Sequence, residues 1–117
     1  MEKTIVIIGD SYIGYNDVQK TFKSTGLEDY KIEMHTDYKK LKKLNFEKYK
    51  YNSNYTAIFI GPVPHSVHSK NNSSSIITEM ENDKGYPLVV RLSANKSLKI
   101  TNYSIKCGIE KLKGKVS

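Results

Sequence analysis

Tryptophan is absent from the 117-residue sequence, arginine occurs once, at Arg91, and cysteine once, at Cys107. A lone cysteine excludes an internal disulfide, and its place within an amphipathic helical pattern reads as packing. No apolar run approaches the ~18 residues of a membrane span. The start, Met1-Glu2-Lys3 and then Thr4 to Ile8 before Gly9-Asp10, has too short an apolar stretch for a signal peptide and no cleavage site after it. A cytoplasmic location and no membrane partner are therefore expected. Gly-x-Gly-x-x-Gly, Walker, Cys-x-x-Cys and His-Glu-x-x-His patterns are all missing, as are helix-turn-helix, RRM and KH signatures. No cofactor is expected on that ground.

What is present suits one globular domain over 1–117: 38% hydrophobic and 26% charged residues in a chain long enough for a single core. The formal net charge is +7, carried by 18 lysines and Arg91. Such a balance attracts anionic ligands, nucleic acid or acidic partners. The joint abundance of Lys, Asn, Ile and Tyr also fits the codon drift of an AT-rich genome, as in many bacteria.

The continuous β-branched run Thr4–Ile8 predicts a strand buried on both faces, the mark of a parallel sheet. A first helix follows from Asn16 or Asp17, with Val18 and Phe22 on one face and Gly26 as its stop. Tyr30–Met34, ending at His35, predicts a second strand. Thr36 or Asp37 then caps a second helix bearing Tyr38, Leu41 and Leu44, with Lys39, Lys40, Lys42 and Lys43 on its other face. Tyr55–Ile60 is the third strand, stopped by Gly61-Pro62. A polar loop from His65 to Ser75 leads to a third helix with Ile76, Ile77 and Met80. Pro87–Leu92 is a fourth strand, Asn95-Lys96 a turn, and Leu98–Ile100 a short edge strand. Thr101 or Asn102 caps a last helix carrying Ile105, Ile109 and Leu112, with a tail fraying from about Lys113. The alternation predicts a three-layer α/β fold, Rossmann-like or flavodoxin-like, with a four- or five-stranded, mainly parallel sheet in the order 2-1-3-4.

In open α/β sheets ligands bind beyond the carboxyl ends of the strands. That rule selects the loop Gly9-Asp10-Ser11-Tyr12-Ile13-Gly14-Tyr15-Asn16, then His35-Thr36-Asp37, then Gly61 to His68, and finally Arg91 and Ser93. These segments hold all three histidines and the single arginine. Gly9 and Gly14 allow close backbone approach, and the amides opening the first helix suit an anion. The candidate ligand set is Gly9, Asp10, Ser11, Tyr12, Gly14, His35, His65, His68, Arg91 and Ser93. Arg91 offers a bidentate fork for phosphate or carboxylate that lysine cannot reproduce, or a structural pair with a helix-borne acid. His65 and His68, three apart, suit hydrogen bonding to an anion. A metal shared with His35 or Asp37 is a lesser alternative.

Ile8-Gly9-Asp10-Ser11 followed by Gly14 resembles the first block of the GDSL (SGNH) hydrolases. That resemblance implies Ser11 as a nucleophile; His65 or His68 would stand in as base only by convergence. The chain departs from the family in having no histidine after His68 and no Gly-x-Asn-Asp block. Pro64-His65, Tyr86-Pro87 and the junction from Lys99 to Ser104 resemble small uncharacterised bacterial Rossmann-like domains, which implies a fold and no established activity.

Three functions follow. The leading one is a small ligand-binding or sensor module for a phosphate-bearing or nucleotide-like anion. The second is a minimal serine hydrolase, esterase or phosphodiesterase-like enzyme using Ser11. The third is a basic nucleic-acid or protein-interaction module, with Tyr38, Tyr49, Tyr51 and Tyr55 interleaved with lysines as a stacking platform and Lys106, Lys111, Lys113 and Lys115 at the basic end. A receiver domain is disfavoured because strand three ends in Gly-Pro and not in an acceptor Asp. A homodimer through an edge strand or helix face is an expectation from fold analogy.

Overall fold

The computed structural model describes residues 3–64 and 76–116. Its first strand, β1 (Thr4–Ile8), is buried at every position. A strand without a wet face needs a neighbour on each edge and a layer on each side. Both are supplied. β2 (Lys31–His35) and β3 (Tyr55–Ile60) flank β1, and β4 (Leu88–Arg91) extends the sheet beyond β3. All three pairings are parallel, and the order is β2-β1-β3-β4. The fold is the Rossmann-like or flavodoxin-like α/β architecture expected from the alternation of elements.

Side-chain alternation divides the core into two layers. Ile5, Ile7, Ala57, Phe59 and Val90 point to one face, covered by α1 (Tyr15–Ser24) and α3 (Asn102–Val116) through Val18, Phe22, Ile105, Ile109 and Leu112. Val6, Ile8, Ile58 and Ile60 point to the other, covered by α2 (Ile76–Asn82) through Ile76, Ile77 and Met80, and by Leu41, Phe46 and Tyr49.

Helix ends follow local chemistry. Gly26 adopts φ +87°, Leu27 N–H donates to Phe22 O at 2.9 Å and Gly26 N–H to Lys23 O at 3.2 Å. That is a Schellman stop, with Leu27 packed on the core beneath it. Thr101 and Ser104 cap α3 reciprocally: Ser104 N–H donates to Thr101 Oγ1 at 3.1 Å and Thr101 N–H to Ser104 Oγ at 2.9 Å. The segment from Lys113, expected to fray, stays helical to Val116, and Lys113 Nζ reaches Thr25 O at 2.6 Å.

Other expectations change as well. α1 begins at Tyr15 behind Gly14, ahead of the expected caps Asn16 and Asp17. The second helix is replaced by two 3-10 turns, Lys40–Lys43 and Phe46–Tyr49. Tyr38, Leu41 and Leu44 recur every three residues, a spacing that suits 3-10 as well as α geometry. Asn45 then interrupts the run, its side chain accepting from Glu47 N–H at 3.0 Å. Leu98–Ile100 does not form an edge strand of the main sheet. β5 (Ser93–Ala94) and β6 (Ser97–Leu98) form a separate antiparallel hairpin, with Asn95 and Lys96 at φ 53° and 69° as its turn. Ile100 instead makes a parallel bridge to Ser11 above β1. Finally, β4 ends at Arg91, so Ser93 belongs to the hairpin and does not continue the strand.

Among the described residues no helix is long and apolar enough to cross a membrane.

Gly9 adopts φ +136°, and a Cβ there would lie 2.8 Å from the Gly61 carbonyl carbon. Gly9→Ala should therefore lower unfolding stability by ~2 kcal/mol or more in urea titration. At Gly14, with φ −93° and open space around it, Ser in place of Gly should raise stability by roughly a few tenths of a kcal/mol by capping α1.

Candidate functional site

The parallel register brings the carboxyl ends of the strands into one row. Gly9 N–H donates to His35 O at 3.0 Å, Gly61 N–H to Ile8 O at 2.7 Å, Asp10 N–H to Pro62 O at 2.9 Å and Leu92 N–H to Ile60 O at 2.8 Å. The segments bearing His35, Asp10, Pro62 and Arg91 are thus joined by backbone bonds. His65 and His68 lie outside the described residues, so of the three expected histidines only His35 can be placed.

The Gly9–Asn16 loop is organised by its own side chains and by the returning chain. Ser11 Oγ donates to Ile13 O at 2.7 Å and accepts from Ile13 N–H at 3.1 Å. This local closure makes Ser11 a turn residue. Among the described residues no histidine is bonded to it, so the geometry supplies no activating base. Tyr12 N–H donates to Ile100 O at 3.1 Å. That bond props the Tyr12 ring into solvent, where it is 76% exposed, with Lys99 Nζ 5.5 Å from its centroid. Gly14 then caps α1 without any side-chain bond to the first-turn amides. These amides form the positive end of the helix dipole, partly offset by Asp17 in the same turn. Asp10 is exposed and its carboxylate has no partner among the described residues.

Arg91 is otherwise engaged. Its Nε donates to Glu81 Oε2 at 3.0 Å and its Nη2 to Glu81 Oε1 at 2.8 Å. The fork that a ligand would require is closed on a carboxylate of α2. The bond to Arg91 holds the Glu81 carboxyl below the usual carboxylate range and raises Arg91 correspondingly. Of the two roles open to Arg91 in the sequence, the helix-borne acid is the one present. Ser93 is exposed on the hairpin.

His35 belongs to a cluster centred on Glu33 that draws in side chains from two other elements. Its Nε2 lies 2.8 Å from Glu33 Oε2. Tyr49 OH donates to the same oxygen at 3.0 Å, and Tyr55 OH donates to Oε1 at 2.9 Å. Lys48 Nζ stands 3.7 Å away. Burial pushes the Glu33 carboxyl up, but the bonds from His35, Tyr55 and Tyr49 and the charge of Lys48 outweigh it, so the net shift is downward. Burial and the Glu33 charge together raise the Tyr49 phenol well above its ordinary value. The cluster ties the second 3-10 turn and β3 to the edge strand β2. It also removes Tyr49 and Tyr55 from the expected stacking platform: Tyr49 is fully buried, and the two rings pack edge to face at 4.7 Å. Of the four tyrosines proposed, Tyr38 and Tyr51 remain exposed.

A cleft of about 300 Å³ opens beside His35, lined also by Thr36, Asp37 and Lys40, with Met34, Leu41 and Leu44 as its apolar part. A second cleft of about 300 Å³ runs beneath α1 between Phe22, Leu27, Tyr30 and Ile32, and includes none of the expected site residues. Among the described residues no three His, Cys, Asp or Glu side chains gather as a metal site. The arrangement that involved His65 and His68 falls outside them.

Sequence reasoning passed over Lys99, Glu33 and Glu81. Lys99 comes next to Tyr12 only through the Ile100–Ser11 bridge, for which no sequence signal exists. An acid at the middle of a short strand, two residues before His35, was a readable hint for Glu33.

Comparison with protein-family models, with curated proteins and with solved structures finds no match to this chain.

The lowered Glu33 carboxyl fixes the sign of a pH effect. Its contribution to stability is complete above the ordinary carboxylate range and is lost as pH falls through its folded value. Thermal unfolding of Glu33→Gln and the parent should differ most near neutral pH, and the gap should narrow as the solution is acidified to roughly pH 3.

Proposed function

We propose that the chain is a small ligand-binding or sensor module that holds a phosphate-bearing, nucleotide-like anion over the Gly9–Asn16 loop. The observation that carries this reading is the exposed Tyr12 ring with the half-buried Lys99 beside it, at the carboxyl edge immediately ahead of the uncapped start of α1. The parts divide the work by chemistry. The free amides after Gly14 suit phosphate oxygens, since a backbone donor adds no bulk and the helix dipole favours negative charge. Lys99 adds a mobile positive charge. The open face of Tyr12 offers a surface on which a planar base can stack.

The acids nearby shape the preference. Asp10 and Asp17 oppose a densely charged polyanion, so a phosphoester with hydroxyl groups fits better than pyrophosphate or free sulfate. A sugar hydroxyl is a natural donor to Asp10. Arg91 takes no part in this site, because Glu81 already occupies its fork. The Ser11 hydrolase and the nucleic-acid module gain no comparable support. The Ser11 hydroxyl is engaged in its own turn, and half of the tyrosine platform is bonded to Glu33.

A thermal-shift and calorimetric screen against mononucleotides, cyclic nucleotides and inorganic phosphate tests the reading. A nucleotide should raise Tm, and Tyr12→Ala or Lys99→Ala should weaken binding about tenfold. Gly14→Asp is the sharper probe. A carboxylate at that cap bonds the α1 amides itself, so the variant should be at least as stable as the parent yet lose the nucleotide. Absence of any shift across the screen, or Gly14→Asp binding as well as the parent, refutes the site.

The Arg91–Glu81 pair provides a separate check. A double-mutant cycle with Arg91→Ala and Glu81→Ala should return a coupling of ~1 kcal/mol or less, as for other exposed pairs. Nucleotide binding by Arg91→Ala should stay at the parent level. A selective loss of binding there would restore Arg91 to the ligand set.

A further inference from the structure

We propose that the outer edge of β4 is a docking groove for an extended acidic segment of another protein, which joins the sheet there as a fifth strand. The sheet ends at β4. The β3–β4 ladder closes with Leu92 N–H bonded to Ile60 O, and the following hairpin, β5–β6, pairs with itself. Among the described residues no strand lies outside β4. Backbone groups in a strand alternate sides. With Leu92 N–H directed at β3, the N–H and C=O groups of Val89 and Arg91 are directed outward.

A cleft of about 250 Å³ runs along this edge. Leu88, Val89 and Val90 form its floor. Glu81 and Arg91 stand on the α2 side, and Lys111 and Lys115, one turn apart on α3, stand on the other. The shape is that of a strand's berth between two helical walls, with apolar side chains beneath and main-chain donors and acceptors at the rim. The opposite edge of the sheet differs. On β2 the charged Glu33 points to the face opposite Ile32 and Met34, where Tyr49 and Tyr55 hold its carboxylate, and a charge so placed discourages further pairing. On β4 the guards stand only at its ends, Pro87 before the strand and Arg91 at its close, and Leu88–Val90 between them are apolar.

Charge selects the occupant. Glu81 and Arg91 neutralise one another. Lys111 and Lys115 are exposed and have no ion-pair partner among the described residues. A strand whose α3-facing side chains are carboxylates satisfies both lysines, while apolar side chains on its other face meet Val89. A second copy of this chain fits worse. Antiparallel two-fold pairing of β4 with itself would place the lysines of both molecules on one face of the joined sheet, on top of a net charge of +7 each.

The test uses the full chain and a fluorescein-labelled synthetic peptide of about ten residues in which Val and Glu alternate. Fluorescence anisotropy at low salt should show saturable binding. Lys111→Glu with Lys115→Glu should weaken it about tenfold. Lys20→Glu with Lys23→Glu, the same charge change on α1, should leave it within about twofold. N-methylation of alternate peptide nitrogens on one strand edge should abolish binding, whereas methylation on the other edge should not. No binding up to ~1 mM peptide, equal losses in the two lysine double variants, or indifference to N-methylation on either edge overturns the proposal. So does a homodimer in sedimentation velocity that Val89→Pro disperses, since a second copy would then fill the groove.

Discussion

Five consecutive residues, Thr4–Ile8, have no side turned to water, and the arrangement of nearly everything else follows from covering them. The edges of β1 are satisfied by β2 and β3 in parallel register. Its faces are covered by α1 and α3 on one side and by α2 with the two 3-10 turns on the other. Parallel pairing has a functional consequence. Because all strands run the same way, all their carboxyl ends emerge together, and the loops that follow are bonded into one row from His35 to Leu92. The candidate site is a product of that direction more than of any single motif.

The glycines at this edge serve different purposes. Gly9 lets β1 turn against Gly61 where a side chain would collide with backbone. Its role is internal to the fold. Gly14 sits in open space at an ordinary φ and leaves a helix start uncapped where Ser or Asp would fit. A position at which a stabilising residue is sterically permitted yet absent is the more informative of the two. Stability and an open set of donors compete there.

Polar groups at this edge are also sorted by partner. Glu81 engages Arg91, and Glu33 gathers His35, Tyr49 and Tyr55. These contacts join helix or turn to strand, and their donors and acceptors are occupied. Tyr12, Lys99 and Asp10 are set on backbone that the Ile100–Ser11 bridge and the Pro62 bond hold in place; Tyr12 and Asp10 are exposed, and the Lys99 ammonium lies beside the Tyr12 ring. The two edges of the sheet show the same division, with an inward carboxylate on β2 and an open apolar strand on β4.

The sequence by itself determined the four strands of the main sheet, its coverage on both faces and the strand order. Thr4–Ile8 and Tyr55–Ile60 were legible to the residue, because a two-faced apolar run has few other ways to bury itself. The stop at Gly26 was legible, and the cap of α3 to within one residue, Thr101 and not Asn102, since both depend on bonds within a few residues. The segment from Asp37 to Leu44 reads as a helix because a three-residue apolar spacing serves a 3-10 turn as well. Only tertiary structure decided the partners of the charged and aromatic groups. Arg91 meets Glu81, and Tyr12 meets Lys99, across separations that no local pattern encodes. Hydrophobic burial is non-directional and can be read from a run of residues. A hydrogen bond or ion pair depends on the placement of two side chains to a fraction of an ångström, and that placement exists only once the chain has folded.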